Sequence, residues 1–129
     1  MRVMLKVTTV FFVITLALLS LLHYLALEFS LYWRFAWFDI FMHFFGGAVV
    51  ALGLFTLKDF VRNIPDRLQY FFPIIAGVIV AALSWEIFEI VLGVPTFEPG
   101  YGLDTVIDIV MGVVGGFVGF IVGHNIRKL

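Results

Sequence analysis

Three pairs of side chains with ligand or acid–base chemistry recur at helical spacing in this sequence: Asp39 with His43, Glu86 with Glu89, and Asp104 with Asp108. Residues three or four positions apart lie on one face of an α-helix. Carboxylates combined with an imidazole suit hard or borderline divalent ions such as Mg²⁺, Mn²⁺, Fe²⁺ or Zn²⁺. The residue types and their spacing therefore predict three helices that each present two such side chains to a common site.

The favoured interpretation is a divalent metal site, whose predicted ligands are Asp39, His43, Glu86, Glu89 and Asp108. Glu89 and Asp104 are also the predicted catalytic residues, since a carboxylate that is free of metal could move a proton. Two other interpretations stay open, namely a structural polar network and ordinary solvation by headgroups and water. The network is disfavoured because carboxylates about 5 Å apart repel by roughly 3 kcal/mol at an effective dielectric near 20, and few cations are available to offset this.

The composition places these residues in a membrane protein. The chain has 129 residues, of which 63% are hydrophobic and 13% are charged, and its mean hydropathy is +1.13. Apolar residues make up only about half of a soluble domain, so the soluble and disordered classes are excluded. The absence of cysteine excludes disulfides and thiolate ligands. The expected partner is the lipid bilayer, and no nucleic acid is expected.

Four long and predominantly apolar segments predict an all-α integral membrane bundle of four transmembrane helices, in a single domain over residues 1–129. The segments lie at about residues 7–27, 37–57, 70–92 and 103–123, and about 20 apolar residues suffice to span a bilayer. Transmembrane β-strands would alternate in pieces of about ten residues instead. Residues 58–69 are predicted to form an amphipathic stretch on the membrane surface, broken at Pro65.

The basic residues predict the orientation of the four spans. Seven of the eight fall on one side of this topology: Arg2, Lys6, Lys58, Arg62, Arg67, Arg127 and Lys128. Because short basic loops stay in the cytoplasm, both termini of this multi-pass protein of the cell membrane are predicted to be cytoplasmic. At 1.5 Å per helical residue, all three pairs then lie within roughly 10 Å of the outer interface.

Three further polar residues lie near the same membrane interface as the three pairs. His23 and Glu28 end the first apolar segment, and Arg34 follows it. We expect Arg34 to pair with Glu28, and the alternative is that Arg34 binds a phosphate of a lipid or substrate. We expect His23 to be an interface or packing residue, although a role as a further ligand stays open.

Glycines at four-residue spacing crowd the last segment: Gly112 with Gly116, and Gly115 with Gly119 and Gly123. Small residues at this spacing let transmembrane helices approach closely. The fourth span is therefore predicted to pack on the second span or on another copy of the chain, and the latter would make a homo-oligomer.

The order of these motifs resembles the YjdF-like family of inner-membrane proteins. The resemblance covers about residues 37–119 and is carried by three segments: Asp39-x-x-x-His43-x-x-Gly46-Gly47, Trp85-Glu86-x-x-Glu89, and Asp104-x-x-x-Asp108 with glycines after it. The order is also similar to that of VanZ-like proteins, from which the paired glutamates depart. The YjdF-like resemblance implies a small polytopic membrane protein with no established reaction. The VanZ-like proteins are associated with teicoplanin resistance, which implies envelope chemistry.

Three functions fit this pattern. The first is a metal-dependent hydrolase or transferase that acts on lipid or lipid-linked headgroups from an outward-facing site. The second is a proton or cation transport component, since intramembrane carboxylates can relay protons. The inner halves of the last three spans offer no continuous polar path in one chain, although an oligomer could form one. The third is a non-catalytic membrane interaction subunit with a structural polar network.

Overall fold

The structure, a computed structural model, describes residues 6–93 and 99–128, and within these ranges it contains helices and no strand. The α-helices in chain order are α1 (Val7–Glu28), α2 (Leu31–Arg34), α3 (Ala36–Phe60), α4 (Phe71–Val91) and α5 (Tyr101–Ile126). All except the four-residue α2 are long and apolar enough to cross a membrane. The predicted all-α fold with four candidate spans is confirmed. Arg2, which contributed to the predicted orientation, lies outside the described residues.

Turns with left-handed backbone separate the helices at one end of the bundle. Ser30 (φ 57°) lies between α1 and α2, Gly93 (φ 80°) follows α4, and Gly100 (φ 89°) precedes α5. Glycine adopts this conformation without a Cβ clash, and the Gly93 amide donates to the Ile90 carbonyl at 3.1 Å to close α4. These turns bring the end of α4 and the starts of α3 and α5 together. We call this the acidic end, after Asp39, Glu86, Asp104 and Asp108.

Helices α3 and α5 run parallel at the centre of the bundle, and their backbones touch at glycines. A Cβ atom at Gly47 would lie 1.8 Å from the carbonyl oxygen of Gly112, and one at Gly115 would lie 1.7 Å from the carbonyl oxygen of Phe44. Any larger side chain would hold the two helices apart, so these glycines permit the close approach. The predicted packing of the fourth span on the second is thus confirmed within one chain.

Two other glycines of α5 are also covered by side chains of the same chain. Gly116 lies beneath Val78 of α4, and Gly123 lies against the ring of Phe55. A homo-oligomer through α5 stays a prediction, and it would have to use the exposed apolar stripe of that helix. The stripe consists of Val106, Val110, Val114, Phe117 and Ile121.

Asp59 forms a charge cluster at the opposite, basic end of the bundle. Asp59 belongs to the last turn of α3, which continues to Phe60. The amphipathic surface stretch predicted for residues 58–69 therefore does not begin at residue 58. The Asp59 side chain is 8% exposed and lies 3.0 Å from the Lys6 ammonium group. It accepts a hydrogen bond from the Thr9 hydroxyl at 2.7 Å, and the Arg127 guanidinium lies 3.7 Å away. One carboxylate therefore ties the start of α1 and the end of α5 to the end of α3.

We expect Asp59→Ala to lower the free energy of unfolding by about 2 kcal/mol, measured by denaturation in one detergent. Breaking a buried ion pair typically costs about 3–5 kcal/mol, and the hydrated Lys6, which is 60% exposed, reduces that figure. The matched control is Asp66→Ala, which removes the partner of Lys58. The Asp66 side chain is 78% exposed, so its loss should cost less than about 0.5 kcal/mol. Equal losses in the two variants would show that the Asp59 cluster does not hold the helix ends together.

Candidate metal centre

The contact between α3 and α5 also sets the position of the central acidic residues. His43 lies one turn before Gly47 on α3, and Asp108 lies one turn before Gly112 on α5. The two helices are parallel and touch at Gly47 and Gly112. The preceding turn of each helix therefore places His43 and Asp108 opposite each other. Asp39 precedes His43 by four residues and shares its helix face. Local sequence thus supplies the ligand types, and the glycine contact supplies their convergence.

Three of the predicted ligands form a close group. The Nε2 atom of His43 lies 3.5 Å from Oδ1 of Asp39 and 3.6 Å from Oδ2 of Asp108. One ligand atom from each of the three residues lies within 4.8 Å of the others. These separations are long for hydrogen bonds. Two atoms bonded to one ion at about 2.1 Å lie about 3.0–3.5 Å apart in octahedral or tetrahedral geometry, so the group needs little adjustment to hold a cation.

The group is enclosed on the side of α5 and more open on the side of α3. The side chain of Asp108 is 5% exposed, that of His43 is 10% exposed and that of Asp39 is 35% exposed. A ligand could therefore reach the group past Asp39, whereas Asp108 is sealed within the bundle.

Glu86 of α4 is a second buried carboxylate near this group. It is 6% exposed, and its electrostatic neighbours include His43 and Asp39. Its Oε1 atom and the Oδ1 atom of Asp108 are buried and find no hydrogen-bond donor among the described residues. Buried carboxylate oxygens without a partner are costly, above all within a membrane span. A cation between α3, α4 and α5 would satisfy both atoms.

Glu89 and Asp104 lie farther from the centre of the group. Glu89 is half-buried near the end of α4, with Glu86, Asp39 and His43 as its ionisable neighbours. Asp104 is exposed in the first turn of α5. Neither belongs to the close group of three, and the same holds for Glu86. Their predicted ligand and catalytic roles stay predictions.

Tyr32 is a polar neighbour of the acids that the sequence did not reveal. It lies in α2 with its hydroxyl 2.7 Å from Nδ1 of His23. Burial, with the negative charges of Asp39 and Glu89, raises the pKa of Tyr32 to about 12. In the sequence Tyr32 is one of several clustered aromatics typical of a membrane interface, and only its hydroxyl distinguished it from the others.

The expected pair of Arg34 with Glu28 is wrong. Both residues are exposed, and no ion pair joins them in the described part of the chain. They flank the left-handed Ser30 turn, which redirects the chain between α1 and α2 and which the sequence did not indicate.

Fold and site together define a membrane protein with four candidate spans and a buried carboxylate–histidine group at one end. The chain belongs to the family described as "Predicted membrane protein (DUF2238)", which matches residues 1–128. The match supports a membrane-protein family without an assigned activity and does not extend to the YjdF-like or VanZ-like names. No curated protein and no solved structure gave a significant match.

Proposed function

We propose that this protein is a membrane-embedded enzyme that holds a divalent metal ion at Asp39, His43 and Asp108, with Glu86 as a further ligand. The observation that carries the proposal is the enclosed group of three at ion-compatible separations, together with buried oxygens of Asp108 and Glu86 that find no hydrogen-bond partner in the described part of the chain. Its mixed oxygen and nitrogen ligands suit Mg²⁺, Mn²⁺, Fe²⁺ or Zn²⁺.

The proposed reaction is hydrolysis or group transfer on a lipid or lipid-linked headgroup. A bound ion would supply a Lewis acid for phosphate or carbonyl oxygens and an activated water. Glu89 is half-buried beside Asp39 and Glu86, a position from which it could accept a proton from that water. Asp104 is exposed in the first turn of α5 and is an electrostatic neighbour of Glu86 and Asp108, so it is the second candidate acid–base residue, on the solvent side of the group.

The packing of the opposite half of the bundle favours an enzyme over a transporter. Below the acidic group the interior is filled by Ala51, Phe55, Ile74 and Val78, each at most 1% exposed. These side chains carry no polar atom that could relay a proton or an ion. A transport route through one chain would have to displace this cluster, whereas an enzyme needs access from one side only.

The proposed orientation places the acidic end outside and both termini in the cytoplasm. In this cysteine-free chain, Gly102→Cys should react with an impermeant maleimide on intact cells, and Asn63→Cys should react only after permeabilisation. Gly102 has open space around its Cβ position and an ordinary backbone, whereas the φ of 89° at Gly100 would strain a cysteine there. The reverse labelling pattern would contradict the orientation.

The metal proposal is tested by elemental mass spectrometry on purified protein after supplementation. We expect stoichiometric metal in the wild type and its loss in Asp39→Ala and Asp108→Ala. Glu28→Gln is the matched control, because Glu28 is an exposed acid near the same end and lies outside the group of three. Metal-free wild type would reject the proposal in favour of protonated carboxyls in a structural network or a proton pathway.

The catalytic step is tested with Glu89→Gln. We expect this variant to keep its metal and its fold and to lose turnover of phospholipid or lipid-linked phosphate in vesicles. Unchanged turnover would remove Glu89 from the mechanism. Loss of cation flux in proteoliposomes would instead assign the site to transport, and collapse of the fold on chelation would make it a structural clip.

A further inference from the structure

The His23–Tyr32 pair is a fixed polar unit beside the candidate metal centre. The ring of His23 meets Trp85 of α4 edge to face, with the centroids 6.2 Å apart, and the ring of Tyr32 meets Phe38 of α3 in the same way at 5.4 Å. The hydrogen bond of 2.7 Å joins the two residues. Both side chains are therefore held from two directions, and the Tyr32 hydroxyl has a defined position.

The Tyr32 hydroxyl has hydrogen-bonding capacity beyond its bond to His23. A phenol offers one donor and also accepts, and a neutral imidazole donates from one nitrogen and accepts at the other. If Nδ1 of His23 carries the proton, it donates to the phenolic oxygen, and the phenolic hydrogen is then free for a ligand. With its pKa raised to about 12, the phenol keeps that hydrogen throughout the physiological range.

A neutral donor suits this position in the site. Asp39 and Glu89 are the charged neighbours of Tyr32, and they would repel an anionic headgroup as it approached the ion. A lysine or arginine here would be attracted to these carboxylates and could occupy the space meant for the ion. An O–H group can donate to an anionic oxygen without competing for the carboxylates in this way, and hydrogen bonds to charged groups are the stronger class.

We propose that Tyr32, held in place by His23, donates a hydrogen bond to a non-bridging phosphate oxygen of a headgroup bound at the metal centre. This inference rests on the proposed metal site and adds the substrate chemistry, a phosphate group. Tyr32 would be a substrate-binding residue, and His23 would be a positioning residue that acts through it.

The test uses full-length protein in detergent, Mn²⁺ as the metal and inorganic phosphate as the probe. Mn²⁺ binding is measured first by electron paramagnetic resonance, and phosphate binding is then measured by paramagnetic broadening of the ³¹P signal. We expect Tyr32→Phe to weaken phosphate binding about tenfold or more, the loss typical of one hydrogen bond to a charged group, with unchanged Mn²⁺ affinity. Tyr24→Phe is the matched control, because Tyr24 is 59% exposed on α1 and should behave as the wild type.

Variants of His23 test whether this residue positions the Tyr32 hydroxyl or only joins α1 to α2. Asparagine can place an amide group near the position of Nδ1, so His23→Asn should retain most of the phosphate affinity, and His23→Leu should behave like Tyr32→Phe. The inference is overturned if Tyr32→Phe binds phosphate as the wild type does. It is equally overturned if phosphate affinity, Mn²⁺ affinity and thermal stability all fall together, since the pair would then only join α1 to α2.

Failure of the metal proposal is visible before phosphate is added. Wild type that binds no Mn²⁺ would reject the metal site, and this inference with it. Wild type that binds Mn²⁺ but gives no phosphate broadening would reject only the inference. If inorganic phosphate binds but phosphatidic acid in mixed micelles does not displace it, the site would be assigned to free phosphate rather than to a lipid headgroup.

Discussion

Asp108→Asn is expected to weaken Mn²⁺ binding at least 100-fold, which corresponds to about 2.7 kcal/mol. Asp108 is the most enclosed carboxylate of the group of three, with a side chain 5% exposed, so water cannot replace the lost ligand charge. Asparagine has nearly the same size and keeps one acceptor oxygen, so the change removes charge with little effect on packing. The measurement is a titration followed by electron paramagnetic resonance of free Mn²⁺.

The same substitution should not destabilise the metal-free protein. In the wild type without metal, Oδ1 of Asp108 is buried without a donor among the described residues, and burying a charged carboxylate costs more than burying a neutral amide of nearly the same size. Asp104→Asn is the control one turn earlier on α5, where the exposed carboxylate should leave Mn²⁺ affinity within about twofold of the wild type. Equal Mn²⁺ affinities in the wild type and Asp108→Asn would show that Asp108 is not a ligand.

Gly115→Ala is expected to lower the free energy of unfolding by about 2–3 kcal/mol, near the upper end of typical overpacking costs. Its Cβ would lie 1.7 Å from the carbonyl oxygen of Phe44, and a backbone atom cannot rotate away as a side chain can. Helices α3 and α5 would have to separate, and His43 would move away from Asp108. We therefore expect weaker Mn²⁺ binding together with a lower unfolding midpoint in the same detergent.

Gly112→Ala provides the matched control on the same helix. A Cβ there meets its nearest atoms, in Ala82 and His43, at 3.7 Å, which is ordinary van der Waals contact. This variant should keep both its stability and its Mn²⁺ affinity, and alanine is the better helix former. If the two alanine variants are equally stable, the close approach of α3 and α5 at Gly115 does not hold the bundle together.

Bundle stability and metal affinity both depend on the interface between α3 and α5. The glycine contacts that stabilise the pair α3–α5 lie one to two turns from His43 and Asp108. Helices packed this closely cannot shift independently, so a change at Gly115 should reach the site. A change at Asp59, at the opposite end of the bundle, should affect unfolding but leave Mn²⁺ affinity unchanged.

The sequence by itself determined the class of this protein. Apolar segments of about 20 residues can only be satisfied as helices in lipid, because every backbone group must find its partner inside the segment. The number of spans and their approximate limits follow from this rule. The positions of Asp39, Glu86 and Asp108 along those spans also placed them at one level, since helical rise is constant.

Only the tertiary structure decided which acids meet. In a membrane both the packed face and the lipid face of a helix are apolar, so hydrophobic periodicity does not mark the inward side. Asp104 and Asp108 share a helix face by spacing, yet Asp104 is exposed and Asp108 is buried, because burial depends on the neighbouring helices as well as on the helix that carries the residue. The contacts of Tyr32 with His23, and of Asp59 with Lys6 and Arg127, join residues distant in sequence. No local pattern encodes such pairings, since they depend on how the helices cross and where the turns redirect the chain.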